Sequence, residues 1–324
     1  MNFWSNKKVL VTGGAGFIGS HLVEMLIEED ADVIVVDNSQ NAIKNNLEKV
    51  KNKITINSSA DLFNFDDCLK ITEKVDIVMN LAAKVAGVEY NQKHQAEMFF
   101  DNVRINANML EAARQNRVKR FLVVSSACVY PRFCEIPTSE KEGFRYIPEQ
   151  TNEGYGWAKR MAEAQGIAYA KEFNMEIAIA RPYNAYGPRD NFNPENSHVI
   201  PALIKRVMDG QNPLVVWGDG EQSRSFLFVE DFVRGLKEIT EKYAVADPVN
   251  LGTDEEIKIK DLVKLILKLS GKNPKVIFDN TKPSGQPRRN CNNAKAKEKF
   301  GYTAKIKLEE GLKKTIEWYW ENKK

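Results

Sequence analysis

Tyr155 and Lys159 stand four apart in Tyr155-Gly156-Trp157-Ala158-Lys159, a spacing that stacks a phenol and an ammonium on one face of a helix. A phenol titrating near its ordinary pKa of about 10 is a poor base at neutral pH, and a lysine cation beside it stabilises the phenolate. Such a pair suits proton transfer at an alcohol oxygen whose carbon changes oxidation state. Ser126, at the end of an apolar run, can hydrogen-bond the same substrate oxygen. A bare Tyr-x-x-x-Lys is also ordinary on solvated helices, so the pair draws its meaning from its surroundings.

The first of these is Gly13-Gly14-Ala15-Gly16-Phe17-Ile18-Gly19, which follows the apolar run Val9 to Val11 and opens a helical stretch. Glycines at 13, 16 and 19 serve a tight turn, backbone approach to a pyrophosphate and close packing of helix on sheet. The free N–H groups and partial positive charge of the helix start then face the phosphates. Asp37 ends the second apolar run, where a carboxylate accepts both ribose hydroxyls of NAD and repels the 2′-phosphate of NADP. The nearest following cation is Lys44, so the sequence favours NAD.

These groups need a scaffold, and the first half of the chain supplies one. Val9–Val11, Val33–Val36, Ile54–Ile56, Ile77–Met79, Phe121–Val124 and Glu176–Ala180 read as strands buried on both faces, as in parallel sheets. Helical stretches at Ser20–Glu29, Ala96–Asn116 and Tyr155–Phe173 lie between them. The alternation predicts an α/β fold: a Rossmann-type doubly wound parallel sheet of order 3-2-1-4-5-6. Residues 1–182 then form the dinucleotide domain, to which a segment near 225–252 returns. Residues 183–324 form a smaller mixed α/β substrate lobe. Pro182 to Pro194 is rich in Pro, Gly and Asn and reads as a long loop. Helices are expected at Val199–Asp209, Val229–Glu241, Ile259–Ser270 and Leu308–Trp320, with short strands at Leu214–Trp217 and Val276–Phe278.

With 324 residues, 43% apolar and 28% charged, the composition is that of an ordinary globule, and a net charge of +3 carries no nucleic-acid footprint. No run approaches the roughly 20 apolar residues of a membrane span, and the N-terminus lacks signal-peptide order. The cysteines at 68, 128, 134 and 291 have neither metal-ligand spacing nor the density of a disulfide framework. A cytoplasmic protein without a metal is expected.

Thr12-Gly13-Gly14-Ala15-Gly16-Phe17-Ile18-Gly19-Ser20-His21, Leu81-Ala82-Ala83, the Tyr155–Lys159 pair and Arg181-Pro182-Tyr183-Asn184-Ala185-Tyr186-Gly187-Pro188 resemble the extended short-chain dehydrogenase/reductase family. Its members are nucleotide-sugar epimerases, dehydratases and reductases. Ser126-Ala127-Cys128-Val129-Tyr130-Pro131, the stretch from Gly187 to Leu203 and Phe278 to Arg288 are similar to the GDP-sugar branch, the GDP-L-fucose synthases and GDP-mannose 3,5-epimerases. Fucose synthases use NADPH and lack an acid at the second strand, and the 3,5-epimerases carry lysine where His198 falls. The Asp-Glu pair of 4,6-dehydratases is here Ala127-Cys128.

The resemblance implies NAD as cofactor, held by Gly13, Gly16, Phe17, Ile18, Gly19, Asp37 and Asn38. Asp61, Leu62, Leu81, Ala82, Ala83 and Asn102, with Tyr155 and Lys159, complete that side. It implies Ser126, Tyr155 and Lys159 as the redox set, with Cys128 and His198 as an acid/base pair beside a C4 ketone. A nucleotide sugar, a GDP-sugar by this resemblance, would meet Asn184, His198, Val199, Trp217, Arg224, Lys282 and Arg288. Four functions stay open: a redox-neutral epimerase, a fucose-synthase-like reductase, a C4 dehydrogenase, and a dinucleotide sensor without turnover. The two long helices Ala96–Asn116 and Tyr155–Phe173 imply a homodimer. His21 belongs to the first helix in this reading, and His94 to a solvated loop.

Overall fold

The computed structural model describes residues 2–85, 87–193, 197–281 and 286–323. Six strands come first: β1 Lys8–Thr12, β2 Asp32–Val36, β3 Ile54–Asn57, β4 Ile77–Asn80, β5 Arg120–Val124 and β6 Glu176–Pro182. Among them run α1 Phe17–Glu28, α2 Gln40–Asn46, α3 Phe65–Thr72, α4 Val88–Lys93, α5 Gln95–Gln115 and α6 Glu153–Phe173. After β6 come β7 Ala185–Tyr186, α7 Val199–Met208, β8 Leu214–Trp217, β9 Ser223–Ser225, β10 Leu227–Phe228 and α8 Val229–Lys242. The chain ends with β11 Val249–Leu251, β12 Glu256–Lys258, α9 Ile259–Ser270, β13 Val276–Asp279, β14 Arg288–Arg289, α10 Ala294–Phe300 and α11 Leu308–Asn322.

The central sheet is fully parallel in the order β3-β2-β1-β4-β5-β6-β11. The 3-2-1-4-5-6 order is therefore present, and β11 adds a seventh strand beside β6. Alternate side chains explain why each strand reads as apolar throughout. Val9, Val11, Ile77, Met79, Leu122, Ala178 and Ala180 enter one core with α1 and α8, while Leu10, Val78, Phe121, Val123, Ile177 and Ile179 enter the other with α3, α5 and α6. Fully burying each Val, Leu or Ile side chain contributes roughly 1.5–3 kcal/mol.

Short elements escaped the apolar pattern. In α3, Asn64 caps the N-terminus by accepting from Asp66 N at 2.9 Å and Asp67 N at 3.3 Å, so polar chemistry defines its start. The expected loop after Pro182 contains β7, which pairs in parallel with β10. Its far part docks on α1: Arg189 pairs with Glu24 at 2.7 Å, and His21 Nε2 lies 3.0 Å from the Pro188 carbonyl. His94 joins α4 to α5 and stacks on Tyr90. No helix among the described residues is long and apolar enough to cross a membrane.

Candidate active site

The carboxyl ends of the parallel strands bring the chemistry together, as expected for an open α/β sheet. At the end of β1, Gly13 adopts a φ of +65°, and its N–H donates to the Val36 carbonyl at 2.8 Å. A Cβ on Gly19 would lie 2.1 Å from the Gly13 oxygen, so turn and helix meet more closely than any side chain permits. Gly16 caps α1 without a side-chain hydrogen bond, and Phe17 and Ile18 form the first turn. Its N–H groups are left as a seat for an anion.

Asp37 borders this cradle. Its Oδ2 accepts from Ala15 N at 3.0 Å and its Oδ1 from Ser39 N at 2.9 Å, while Asn46 Nδ2 donates to the Ala15 carbonyl at 2.8 Å. The residues thus fit a dinucleotide: a side-chain-free turn for the pyrophosphate and an anchored acid for the adenosine ribose. Asp37→Ala is expected to narrow any preference for NADH over NADPH by about tenfold, the order of one charge-assisted hydrogen bond. Dissociation constants of both dinucleotides for both proteins measure this. A wild type that binds NADPH more tightly reverses the reading of Asp37.

The other cofactor-side positions have distinct surroundings. Asn38 is exposed next to Asp37. Asp61 turns its carboxylate onto Phe63 N at 2.9 Å, and the Leu62 carbonyl accepts from Asn108 at 3.0 Å. Leu81 N donates to the Thr12 carbonyl and Ala82 N to Thr12 Oγ1, holding half-buried Leu81, Ala82 and Ala83 against the glycine turn. Asn102 spends its amide on the backbone of Lys84 and Met98, so it positions this segment. A buried polar chain, Thr12–Asn80–Asn106–Gln165, runs behind it. Apolar periodicity gave no sign of that chain.

Beyond β5, Ser126 Oγ accepts from Cys128 N at 3.1 Å, beside the Tyr155 phenol. A Cβ on Gly156 would lie 2.5 Å from the Cys128 carbonyl, so α6 presses directly on the cysteine segment. Arg160 completes the junction through two hydrogen bonds to the Val129 carbonyl, at 2.9 and 2.6 Å. Lys159 is buried, donates to the Val124 carbonyl at 2.8 Å and lies 5.4 Å over the Tyr155 ring. Burial pushes the phenol up and the nearby Cys128 adds to this, against the pull of Ser126. Burial pushes Lys159 down to about 8, opposed by Cys128 and Glu163. The ammonium bonds the backbone, and Ser126 is the neighbour that favours the phenolate.

Ser126, Cys128, Tyr155 and Lys159 thus converge. His198 is the N-cap residue of α7, and no hydrogen bond joins it to that group among the described residues. Desolvation of its charge holds its imidazole below the ordinary value. Val199 opens α7 exposed, and Trp217 ends β8 half-exposed at 51%. Asn184 donates to the Ser225 carbonyl at 2.9 Å. Lys282 lies outside the described residues.

In the small sheet β12-β9-β14, Arg224 and Arg289 are register partners. Burial and the neighbouring Arg289 lower Arg224 to about 10, opposed by Glu256. Burial opposes the Arg289 charge and the nearby Cys128 favours it, whereas Arg288 turns away into a two-pronged pair with Glu256 at 2.8 Å. Sequence reasoning singled out Arg288 and missed Arg289. The alternation of adjacent strand residues between faces is the signal that separates them.

A family model described as "NAD dependent epimerase/dehydratase family" matches residues 9–252. "Putative GDP-L-fucose synthase 2" of Arabidopsis thaliana is 33% identical over 98% of this chain and 93% of its own length. "GDP-mannose 3,5-epimerase 1" of Oryza sativa subsp. indica is 34% identical over 98% and 83%. Among solved structures, the UDP-glucose 4-epimerase of Thermotoga maritima with UDP-glucose superposes with a TM-score of 0.87 at 29% identity, covering 98% of this chain and 100% of that one. A GDP-L-fucose synthetase of Naegleria fowleri bound to NADP gives 0.82 at 27%, covering 98% and 95%.

Proposed function

The chain belongs to the NAD dependent epimerase/dehydratase family, and from that premise we propose an NAD-dependent epimerase that acts on a GDP-sugar through transient oxidation at C4. One observation carries the proposal: the segment bearing Cys128 is pinned against the helix of Tyr155 and Lys159, with Cys128 N donating to Ser126 Oγ at 3.1 Å and Gly156 pressed on the Cys128 carbonyl. A plain alcohol dehydrogenase has no use for a second proton-transfer group there. The full-length relatives named for GDP-sugars support the substrate class.

When bound, the dinucleotide supplies the hydride acceptor at C4 and the donor on return, held by the glycine turn and Asp37. Ser126 orients the C4 oxygen, and Tyr155 takes its hydroxyl proton. The buried Lys159 cation favours the phenolate. A C–H flanking the resulting ketone is acidic enough for a side-chain base. Cys128 and His198 are assigned to remove and return that proton on opposite faces. Arg224 and Arg289, side by side, suit the diphosphate. Asn184, Val199, Trp217, Lys282 and Arg288 remain proposed nucleotide contacts.

In deuterated water, enzyme and substrate GDP-sugar are expected to give label at C3, C5 or both, with none at C4. Cys128→Ser keeps the shape but holds its proton far more tightly than a thiol. It should suppress exchange by about 10² or more while C4 oxidation survives. His198→Asn should separate the two steps in the same way. Oxidation without solvent label in the wild type reduces both residues to packing and leaves a C4 dehydrogenase or 4-epimerase. The fucose-synthase relatives favour a second reading, a reductase of a GDP-4-keto-6-deoxy-sugar. Net consumption of reduced cofactor distinguishes it.

The same reading takes residues 1–182, with the return near 225–252, as the cofactor unit and 183–324 as the sugar-nucleotide lobe. The parallel pairing of β11 with β6 and the packing of α8 on α1 support that return. Exposed Phe99 and Phe100 on α5, with Met161 and Phe173 on α6, support a homodimer through those helices. Four free cysteines suit a reducing cytoplasm.

A further inference from the structure

Behind the relay lies an ion pair with almost no access to water: Glu163 is 0% and Arg181 2% exposed. Arg181 Nε and Nη2 meet the two carboxylate oxygens at 2.8 and 2.6 Å, and the Ser125 hydroxyl donates to Glu163 Oε1. The remaining Arg181 nitrogen donates to the Tyr130 hydroxyl at 3.1 Å and the Glu140 carbonyl at 2.7 Å. Tyr130 donates in turn to Asn250 at 2.6 Å. An isolated packing role explains such a pair poorly, because desolvating two charges is costly and apolar replacements are often as stable. Its location is the informative feature. Tyr155, Lys159 and Glu163 repeat every four residues along α6 and share one face. Ser125 precedes Ser126, and Tyr130 ends the segment carrying Cys128.

We propose that Glu163, clamped by Arg181 and Ser125, is a positioning residue for the catalytic relay: from the same face of α6, its carboxylate keeps the buried Lys159 ammonium charged. The proposal rests on the reading of Tyr155 and Lys159 as that relay. The groups facing Lys159 are few. β5 presents the Val124 carbonyl, and the following segment presents Ser126 and Cys128, with Arg289 of β14 beside the thiol. α6 presents Tyr155 and Glu163; Arg160 is turned onto the Val129 carbonyl, and Arg181 of β6 sits on the far side of Glu163. Burial opposes the cation, and Cys128 and then Glu163 oppose burial. Glu163 is held in place by Arg181 of β6 and by Ser125 just after β5, so it supplies fixed support.

The test is a pH titration of the full-length protein carrying isotope-labelled lysine, read by NMR at the ε-methylene. The Lys159 signal is assigned by its loss in Lys159→Arg. The wild-type midpoint is expected near the value of about 8 set by burial. Glu163→Gln leaves Arg181 uncompensated and should lower the midpoint by about one pH unit or more, the order expected when a neighbouring charge is removed. Glu163→Gln/Arg181→Met, the variant with no orphaned charge to threaten folding, should lower it by a smaller but measurable amount, because Glu163 shares the α6 face of Lys159 and acts on it, whereas Arg181 does not. The alkaline limb of C4 oxidation should follow, with sugar KM unchanged. A folded double variant whose Lys159 midpoint stays at the wild-type value overturns the proposal. The titration needs neither substrate nor cofactor, so it reads the proposal even if no GDP-sugar is turned over.

Discussion

Tyr155→Phe is expected to lower turnover by about 10² or more while leaving dinucleotide affinity within a few-fold of wild type. The ring stays, and with it the packing beneath Lys159, whose ammonium lies 5.4 Å from the ring centre. Only the hydroxyl beside Ser126 is lost, and with it the proton carrier. Stopped-flow oxidation of the sugar nucleotide, alongside calorimetric binding of NAD, separates the two quantities. Full activity in the variant removes Tyr155 from the mechanism. The same relay sets the alkaline behaviour of the wild type. Lys159 titrates near 8, so raising the pH through that value discharges the cation, and the phenolate loses support. The rate of C4 oxidation should therefore fall above pH 8 and be insensitive to Lys159 well below it.

Gly19→Ala is the second large effect. The new methyl carbon would start 2.1 Å from the Gly13 oxygen and 2.7 Å from the Gly14 Cα. Both are backbone, so no side-chain rotation relieves the clash, and α1 must move away from the turn that it completes. Overpacking of this kind costs about 1–3 kcal/mol. Charged to the loop conformation that binds the dinucleotide, it weakens NAD by about 10–10². Unaltered affinity with a wild-type melting temperature would falsify the view that this contact shapes the cradle.

The two substitutions also mark how far a sequence can be read. Gly19 and Tyr155 were legible because each belongs to a local pattern, three glycines after a strand or two side chains one helical turn apart. The six strands were legible for a related reason. Burial on both faces removes polar residues from a short run, as in Val9 to Val11 and Ile77 to Met79. The boundaries of α9 at Ile259 and Ser270 likewise follow from an apolar stripe and the left-handed Gly271 that ends it. Contacts made across the chain leave no such trace. Glu163 and Arg181 look like ordinary charges in sequence until folding removes their water. Arg289 and Arg288 are adjacent and chemically identical. The pairing of β14 with β9 decides which meets Cys128 and which meets Glu256. His198 matched a long segment, yet its position relative to Cys128 depends on how α7 is carried, which no local spacing encodes.

β11 bears on how the protein is made. It closes the sheet beside β6, and it comes from residues 249–251, after the whole loop that runs from Pro182 through α7. As the chain leaves the ribosome, Glu176 to Pro182 has its inner neighbour β5 at once but has to wait for its outer one. Asn250 adds to the delay, because Tyr130, Thr138 and Asn292 all bond its side chain from separate parts of the sequence. A nascent chain stalled before residue 249 therefore presents a bare apolar strand edge next to the catalytic segment, the kind of edge that pairs with other chains. Synthesis has to pass through the second lobe before the first is sealed, and the interval between the two is when this protein is most open to misassociation.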